Sequence, residues 1–364
     1  MVKNIIKKIK NFYKTKFRFD LPISKKILIF DEMNSSILQE IIKKDFSVLK
    51  VRDEKEIYFW IFLQQIVFFD FKFFTYCKNY IKFTSPKVII TFIDNNIEFY
   101  RLKKNFKNIH FISIQNGIRL PDWFKNVNLA NSNNFICDHV FVFNKYILKK
   151  YQNIINSKYH ILGSLKNNIV KVSKTKTYKD FLFISQFQKK DKKSQLFQEN
   201  LLKFINLYLI KSDKKLHILL RYKDSLKQRD EIEFYKKIFQ SNCIFQKTLE
   251  WKKSYQILDK FENIIFMFST LGYEAIARKK KVAIFSPKKL NNLKYYFGWP
   301  SPTKKEYSFF SAKKITYNEI ERVLNNINNC SQVHWNRKYY NTLKDQLYLN
   351  KNNTKLRKII FKLL

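Results

Sequence analysis

The chain has 364 residues, 45% of them hydrophobic, and a formal net charge of +42 at pH 7. This length predicts two domains of about 150 residues each. Only ten of the 71 basic residues are arginine, and Lys, Asn, Ile, Phe and Tyr are all abundant, so an AT-rich genome explains part of the charge. We therefore predict an anionic membrane surface as a partner, and no nucleic acid.

The cysteines and histidines lack the spacing of a metal site. The four cysteines lie far apart without a CxxC pair, and the five histidines form no HxH or HxxxH pair. We therefore expect reduced thiols and no metal cofactor.

The amino-terminal segment, residues 1–24, spaces apolar residues at helical intervals among lysines. This pattern is typical of a basic amphipathic helix on an anionic membrane, and equally of a solvated leader helix. The apolar stretch IYFWIFLQQIVFFDFKFF at 57–74 contains two Gln, one Asp and one Lys. These polar residues argue against a transmembrane span and favour a buried core helix.

From residue 25 onward, short apolar runs alternate with segments of helical spacing. Runs that are apolar throughout indicate strands buried on both faces of a parallel sheet. The pattern restarts near residue 179, which predicts two doubly wound α/β domains, Rossmann-like and facing a cleft. We predict an acceptor domain at 25–165, a nucleotide-donor domain at 166–315 and a helical tail at 316–364. This architecture is that of the glycosyltransferase B (GT-B) type, and two-domain epimerases and periplasmic-type binding proteins are the alternatives.

Polar residues follow the predicted strands of the first domain, where open α/β sheets bind ligands. Glu32 and Asp94 are candidates for a general base that activates an acceptor hydroxyl. Helix capping is the alternative explanation for acids at such positions. The further residues predicted to line the acceptor side of the cleft are Asn95, Gln115, Asn116, Gly117 and Arg119.

In the second domain, the stretch STLGYE at 269–274 predicts a helix that begins directly after a buried strand. Free amides at a helix start bind phosphate without a metal ion, and Ser269 and Thr270 add hydroxyl donors. Gly272 permits close approach of the backbone, and Glu274 is a candidate acceptor for ribose hydroxyls. Ordinary helix capping is the alternative. Arg221 and Lys223, which end another strand, are candidate phosphate ligands or plain surface cations.

Four stretches, LIFDEMNSS, VIITFIDNN, FISIQNGIR and STLGYEAIARKKKVAIFS, resemble in this order the bacterial surface carbohydrate biosynthesis family. That family is similar to GT-B proteins of capsule, O-antigen and lipopolysaccharide pathways, and the resemblance covers residues 25–300. It implies that residues 269, 270, 272 and 274 hold a donor nucleotide and that residues 115, 116 and 119 line the cleft opposite. Some related enzymes carry a His-Pro pair after the second strand of the second domain, where this chain has Leu220-Arg221-Tyr222-Lys223. This difference argues against the phosphotransferase branch.

The resemblance implies a cytoplasmic enzyme at the inner face of the membrane. The predicted function is a glycosyltransferase that moves a sugar from a nucleotide-activated donor to a glycan or lipid-linked acceptor without a metal ion. A nucleotide-sugar epimerase on the same fold and a non-catalytic scaffold of a carbohydrate pathway are the alternatives. A scaffold would require the acids at the strand ends to be caps only.

Overall fold

The computed structural model describes residues 16–52, 56–67, 69–119, 121–129, 135–173, 177–188, 192–285, 307–312, 314–344 and 347–364. Most of the predicted leader, residues 1–15, lies outside them. The chain divides into two compact units. Unit 1 comprises Met1–Asn116, Asp122–Asn168 and Asn350–Leu364, and unit 2 comprises Gly117–Pro121 and Ile169–Leu349. The break after residue 168 lies close to the predicted boundary after residue 165.

Short runs of β-branched and aromatic residues form the strands, and in Ile27–Phe30 and Val88–Thr91 every residue is buried. The strands of the described residues are β1 (Lys16–Arg18), β2 (Ile27–Phe30), β3 (Phe46–Leu49), β4 (Glu56–Tyr58), β5 (Val88–Thr91), β6 (His110–Ile114), β7 (Ile136–Val142), β8 (Asn156–Ile161), β9 (Tyr178–Ile184), β10 (Leu216–Leu219), β11 (Cys243–Gln246), β12 (Phe261–Phe266) and β13 (Lys281–Ile284).

The helices occupy the amphipathic segments between the strands. They are α1 (Ser35–Ile42), α2 (Phe59–Val67), α3 (Phe73–Thr84), α4 (Ile97–Leu102), α5 (Pro121–Leu129), α6 (Lys145–Gln152), α7 (Leu165–Ile169), α8 (Lys192–Ser212), α9 (Ser225–Phe239), α10 (Trp251–Asp259), α11 (Thr270–Ala277), α12 (Tyr307–Phe310), α13 (Tyr317–Asn329), α14 (Gln332–His334), α15 (Asn341–Leu343) and α16 (Thr354–Leu363). A π-helical turn covers Trp335–Tyr340, and 3₁₀ turns cover Lys103–Asn105 and Lys351–Asn353. None of the helices in the described part of the chain has both the length and the apolar character to span a bilayer.

Each unit is built on one parallel sheet, as predicted. In unit 1 the strand order is β3-β2-β5-β6-β7-β8, and in unit 2 it is β11-β10-β9-β12-β13. Both orders contain a switch point, where successive connections leave in opposite directions along the sheet. It lies between β2 and β5 in unit 1 and between β9 and β12 in unit 2. Ligands of such sheets bind beyond the carboxyl ends of the strands at this place.

Two predictions for the amino-terminal part are wrong. Lys16–Arg18 is a strand, β1, paired in parallel with β4, and not the end of a leader helix. The predicted core helix at 57–74 is divided between β4, α2 and the start of α3. The break lies at Asp70, whose carboxylate accepts hydrogen bonds from the Lys72 amide (3.2 Å) and the Thr75 hydroxyl (2.7 Å) and so fixes the turn before α3.

The predicted helical tail, residues 316–364, is divided between the two units. Its part up to Leu349 belongs to unit 2, whereas Asn350–Leu364 belongs to unit 1. Asn353, fully buried, donates from its side chain to the Leu165 carbonyl (3.0 Å), and its side-chain oxygen accepts from Asn168 (2.8 Å). These buried amide contacts attach the last helix to the first unit.

A buried ion pair fixes the start of unit 2. The Arg278 guanidinium, at the end of α11, contacts both carboxylate oxygens of Asp259, and both side chains are almost fully buried. It also donates to the carbonyls of Val170 (3.0 Å) and Lys171 (3.1 Å), and Asp259 accepts from the Ser173 amide (2.9 Å). The pair therefore ties the connecting segment after α7 to α10 and α11.

We expect Arg278→Met to lower the free energy of unfolding by about 3–5 kcal/mol, because it leaves the Asp259 carboxylate buried without its partner. Arg229→Met is the control, since Arg229 pairs with Glu233 on an exposed surface, where such pairs contribute about 0–1 kcal/mol. Urea unfolding of the full chain measures both. Equal effects of the two substitutions would contradict this role of the buried pair.

Candidate functional site

A pocket of about 670 Å³ lies at the switch point of unit 1. Its walls come from residues that follow β2, β3 and β5 and from the first turns of α3. The apolar lining residues are Phe30, Val51, Phe73, Phe74, Cys77 and Leu102, and the polar ones are Asp31, Arg52, Lys72, Asn96, Glu98 and Arg101. The two carboxylates are each paired with an arginine, Asp31 with Arg52 and Glu98 with Arg101 (2.6 Å), so the lining has a net charge of +1. A mainly apolar cavity of this charge suits an amphiphilic ligand with an anionic group.

Asp31 is the buried acid of this pocket, with 1% of its surface exposed. It directly follows β2 in a left-handed backbone conformation, with φ of 86°. One carboxylate oxygen accepts from the Met33 amide (3.1 Å), and the other is paired with the Arg52 guanidinium. Burial raises the pKa of Asp31, and the hydrogen bonds from Arg52 and Met33 oppose this rise only in part. The predicted base after this strand was its neighbour Glu32.

The two acids predicted to be catalytic hold strand ends together. The Glu32 carboxylate accepts from the backbone amides of Val51 (2.8 Å) and Arg52 (2.9 Å), which follow β3. Asp94 is fully buried and accepts from the Asn116 amide (3.0 Å) and from the Tyr151 hydroxyl. Neither acid lines the pocket. Their geometry favours a structural role, close to the capping alternative, over that of a base.

The polar residues predicted for the acceptor side are only partly available to a ligand. Gln115 is buried, and its side-chain oxygen accepts from the Phe143 amide (2.9 Å) after β7. Asn95 is exposed, and Asn116 is half-buried. The pocket is lined instead by Asn96, which also caps α4 through the Glu98 amide (3.2 Å).

Unit 2 places the start of α11 at its own switch point, directly after β12. Ser269 is the N-cap, and its hydroxyl accepts from the Leu271 amide (3.2 Å). Gln186, which follows β9, accepts from the Phe268 amide (2.6 Å) through its side-chain oxygen. The predicted helix start is therefore confirmed, and its first amides lie between the carboxyl ends of β9 and β12, where phosphate is favoured.

Gly117 and Arg119, which were predicted for the acceptor domain, belong to unit 2. The Ile118 amide between them donates to the Thr270 hydroxyl (3.3 Å) at the first residue of α11. Both residues are half-buried beside this helix start. Residues 117–119 therefore lie beside the helix start that was predicted to bind the nucleotide, and not on the predicted acceptor side.

Gly272 has a packing role that the sequence analysis did not foresee. A Cβ atom at this position would overlap the ring of Phe266, the last residue of β12. Phe266 is fully buried and packs edge-on against Tyr273 (5.2 Å between ring centroids). Glycine is therefore needed so that α11 can start close to β12, and no ligand has to be invoked for it.

Arg221 and Lys223 follow β10 and are exposed. The Arg221 guanidinium donates to the Phe187 carbonyl (3.4 Å) after β9, so it leans towards the switch point. Glu231 of α9, which the sequence analysis missed, holds this segment: it is fully buried and accepts from the amides of Arg221 (2.9 Å) and Tyr222 (3.1 Å). Burial raises the pKa of Glu231, and the two amides oppose that rise.

Glu274, the predicted ribose ligand, is buried on α11 with 3% of its surface exposed. Its predicted contact with a nucleotide stays a prediction. Ser269, Thr270, Gly272 and Glu274 do lie together on one helix start, and Arg221 reaches towards it from two strands away.

Two units, each with a parallel sheet enclosed by helices, define the GT-B class of folds, which confirms the predicted fold class. Solved structures of this class resemble the chain over nearly its whole length. A Staphylococcus aureus MnaA–UDP complex has a TM-score of 0.57 and 13% identity over 93% of this chain and 98% of that one. The UDP-GlcNAc 2-epimerase of Methanocaldococcus jannaschii gives 0.54 and 10%, over 96% and 99%. The wall teichoic acid polymerase TagF with CDPG gives 0.53 and 11%, over 100% and 95%.

The chain belongs to the family described as "putative O-antigen biosynthesis protein", whose sequence profile matches residues 111–364. The predicted resemblance to surface carbohydrate biosynthesis proteins is thereby confirmed. A comparison with curated protein sequences finds no match.

We expect Gly272→Ala to destabilise the protein. The overlap with Phe266 costs about 1–3 kcal/mol as overpacking, which exceeds the gain of up to about 1 kcal/mol from replacing a glycine within a helix. Gly117→Ala is the control, since its Cβ would lie 3.5 Å from the Thr270 hydroxyl, an ordinary contact. Thermal unfolding measures both variants, and an unchanged or higher midpoint for Gly272→Ala would contradict the packing role.

Proposed function

We propose that this protein is a glycosyltransferase of surface polysaccharide biosynthesis. It transfers a sugar from a nucleotide-activated donor to a glycan or lipid-linked acceptor, and it works at the cytoplasmic face of the membrane. The observation that carries the proposal is the switch point of unit 2, where a capped helix start, the Ile118 loop and Arg221 converge on one sheet edge.

Positive charge at this sheet edge is the basis for the proposed binding of the donor nucleotide. Neighbouring strands lie about 4.8 Å apart, so Arg221 after β10 and the α11 start after β12 are separated by roughly 10 Å across β9. The helix amides carry partial positive charge and the guanidinium a full one, and both stabilise the charge that develops on a departing nucleotide. We propose that no metal ion is required for this. The names of similar structures mention UDP and CDPG, which agrees with a nucleotide ligand here.

The acceptor half uses the pocket of unit 1. Its apolar walls accommodate a lipid or sugar face, and its net positive charge favours an anionic group of the acceptor. Asp31 is the group proposed to remove the proton of the acceptor hydroxyl, because it is the buried acid in the pocket and its pKa is raised. The hydroxyl oxygen then attacks the anomeric carbon of the donor, and the bond from that carbon to the nucleotide phosphate breaks.

An epimerase is the second candidate function. Two of the similar structures, MnaA with UDP and the M. jannaschii enzyme, cover almost the whole chain, and the latter is a UDP-GlcNAc 2-epimerase by name. An epimerase returns the nucleotide sugar intact with one inverted centre. A transferase releases free nucleotide, and does so only when an acceptor is present.

Nucleotide binding is the first test. We expect calorimetry with UDP, CDP, GDP and CMP, each with EDTA or Mg²⁺, to show one nucleotide that binds without metal. Arg221→Met should weaken this binding about ten-fold or more, because a hydrogen bond to a charged group contributes about 1.5–3 kcal/mol. Arg229→Met, an exposed arginine of α9, should bind like the wild type. Absence of binding by all four nucleotides would contradict the proposed site and favour the scaffold alternative.

The nucleotide sugar of the bound type then separates the two reactions. Proton NMR follows the sugar with and without membrane extract as acceptor source. Free nucleotide that accumulates only with the extract supports transfer. A stereoisomer that forms without any acceptor, with the nucleotide still attached, would establish the epimerase instead.

We expect Asp31→Asn to reduce transfer by about 10²–10⁴-fold, the usual contribution of a general base. The substitution is nearly isosteric and should retain nucleotide affinity. Folding raises the pKa of Asp31, so its carboxyl stabilises the folded state at low pH and this contribution is lost as the pH rises through the folded pKa. The free energy of unfolding of Asp31→Asn, compared with that of the wild type, should therefore increase as the pH rises from acidic to neutral.

Glu32→Gln provides the comparison for Asp31→Asn. An amide side chain can accept only one of the two hydrogen bonds from Val51 and Arg52, so this variant should unfold at a lower temperature. Full transfer activity in Asp31→Asn would refute the assignment of Asp31 as the base.

A further inference from the structure

Unit 1 exposes a group of large apolar side chains next to its small sheet of β1 and β4. We define the apolar surface by six of them, contributed by the segment after β1, by α2 and by the turn that follows α2. They are Phe19, Trp60, Ile66, Val67, Phe69 and Phe71. Val67 and Phe69 are 70% and 84% exposed, which leaves these side chains almost entirely in solvent.

Ring contacts link part of the apolar surface. The Trp60 indole donates to the Phe19 carbonyl (2.7 Å), and the Phe19 ring lies 5.2 Å from that of Phe59 on α2. On the next turn of the helix, Phe62 contacts the Phe71 ring with 6.3 Å between centroids. A group of large exposed apolar side chains on one helix and its flanking loops is costly in water and indicates an interaction site.

Cations next to the apolar surface complement an anionic partner. Lys16 in β1 and Lys72 beside Phe71 are both exposed. In the sequence, the fifteen residues that precede β1 contain five further lysines and no acidic residue. Among the nearby acids, Asp20 is paired with Arg18 (2.7 Å) and Glu56 with Lys50 (3.0 Å), and Asp70 accepts from Thr75.

We propose that the apolar surface docks on an anionic lipid bilayer. Phe69, Val67 and Trp60 insert at the level of the headgroups, and Lys16 and Lys72 contact lipid phosphates. Trp and Phe beside lysine are the side chains that favour this interface. A second copy of the chain is a poorer occupant, because two molecules with a net charge of +42 repel each other.

The apolar surface lies next to the pocket of unit 1, which binds the acceptor in the proposed function. Any role of this surface in acceptor binding rests on that proposal. The chain runs from Phe71 directly into Lys72, Phe73 and Phe74, which line the pocket. Docking would bring this wall of the pocket to the bilayer, where a lipid-linked acceptor resides. Docking itself does not depend on the reaction and is tested without substrate.

The test is co-sedimentation of the full chain with vesicles of phosphatidylcholine alone or with 30% phosphatidylglycerol, a mixture of roughly physiological surface charge. We expect binding to the anionic vesicles only. The double variant Val67→Ser with Phe69→Ser should bind about ten-fold more weakly or less, because two side chains no longer leave water on docking. Both positions are so exposed that the fold should be unaffected, which the unfolding midpoint verifies.

The matched control is Leu226→Ser with Leu249→Ser, two residues of unit 2 that are 66% and 76% exposed. This control should sediment like the wild type. Equal loss in both double variants, or wild-type binding independent of phosphatidylglycerol, would overturn the proposal. So would a dimer of the wild type in light scattering that disappears in Val67→Ser with Phe69→Ser, because the surface would then be an interface between copies.

Discussion

The backbone amides beyond the carboxyl ends of parallel strands set the main constraint on this fold. Where the chain leaves the ladder it loses its strand partners, yet buried amides must still be satisfied. Both units solve this with side chains that reach to the end of an adjacent strand or loop. The pairs are Glu32 with Val51 and Arg52, Asp94 with Asn116, Gln115 with Phe143, Gln186 with Phe268, and Glu231 with Arg221 and Tyr222. The same contacts that satisfy the amides hold the loops around each switch point.

The fold class is predictable from the sequence because a parallel strand that is buried on both faces needs a run of consecutive apolar residues. Runs such as ILIF at 27–30 and IIF at 264–266 are apolar throughout, and the segments between them have helical spacing. The helix start at Ser269 is also predictable from the sequence, because a hydroxyl residue shortly after a buried strand is a typical helix cap. These features are local, so a few neighbouring residues determine them.

The site residues are less predictable, because their roles depend on contacts that are distant in sequence. Asp31 and Glu32 are adjacent acids after the same strand, and the positive φ of Asp31 helps send one into the pocket and the other to the end of β3. Glu231 lies ten residues after Arg221 on a helix, with no pattern that links the two. The prediction of a core helix at 57–74 failed for a related reason. An apolar run is typical of a buried segment, whereas here several of its side chains are exposed.

The return of Asn350–Leu364 to unit 1 has a consequence for the order in which the chain folds during synthesis. Asn353 fills a buried position between Leu165 and Asn168, so the first unit lacks part of its interior until residues 350–364 have been made. All of unit 2 has been made once Leu349 has emerged. The unit that is translated first is therefore completed last. In the interval the buried position of Asn353 is unfilled, and the incomplete unit can associate with other chains.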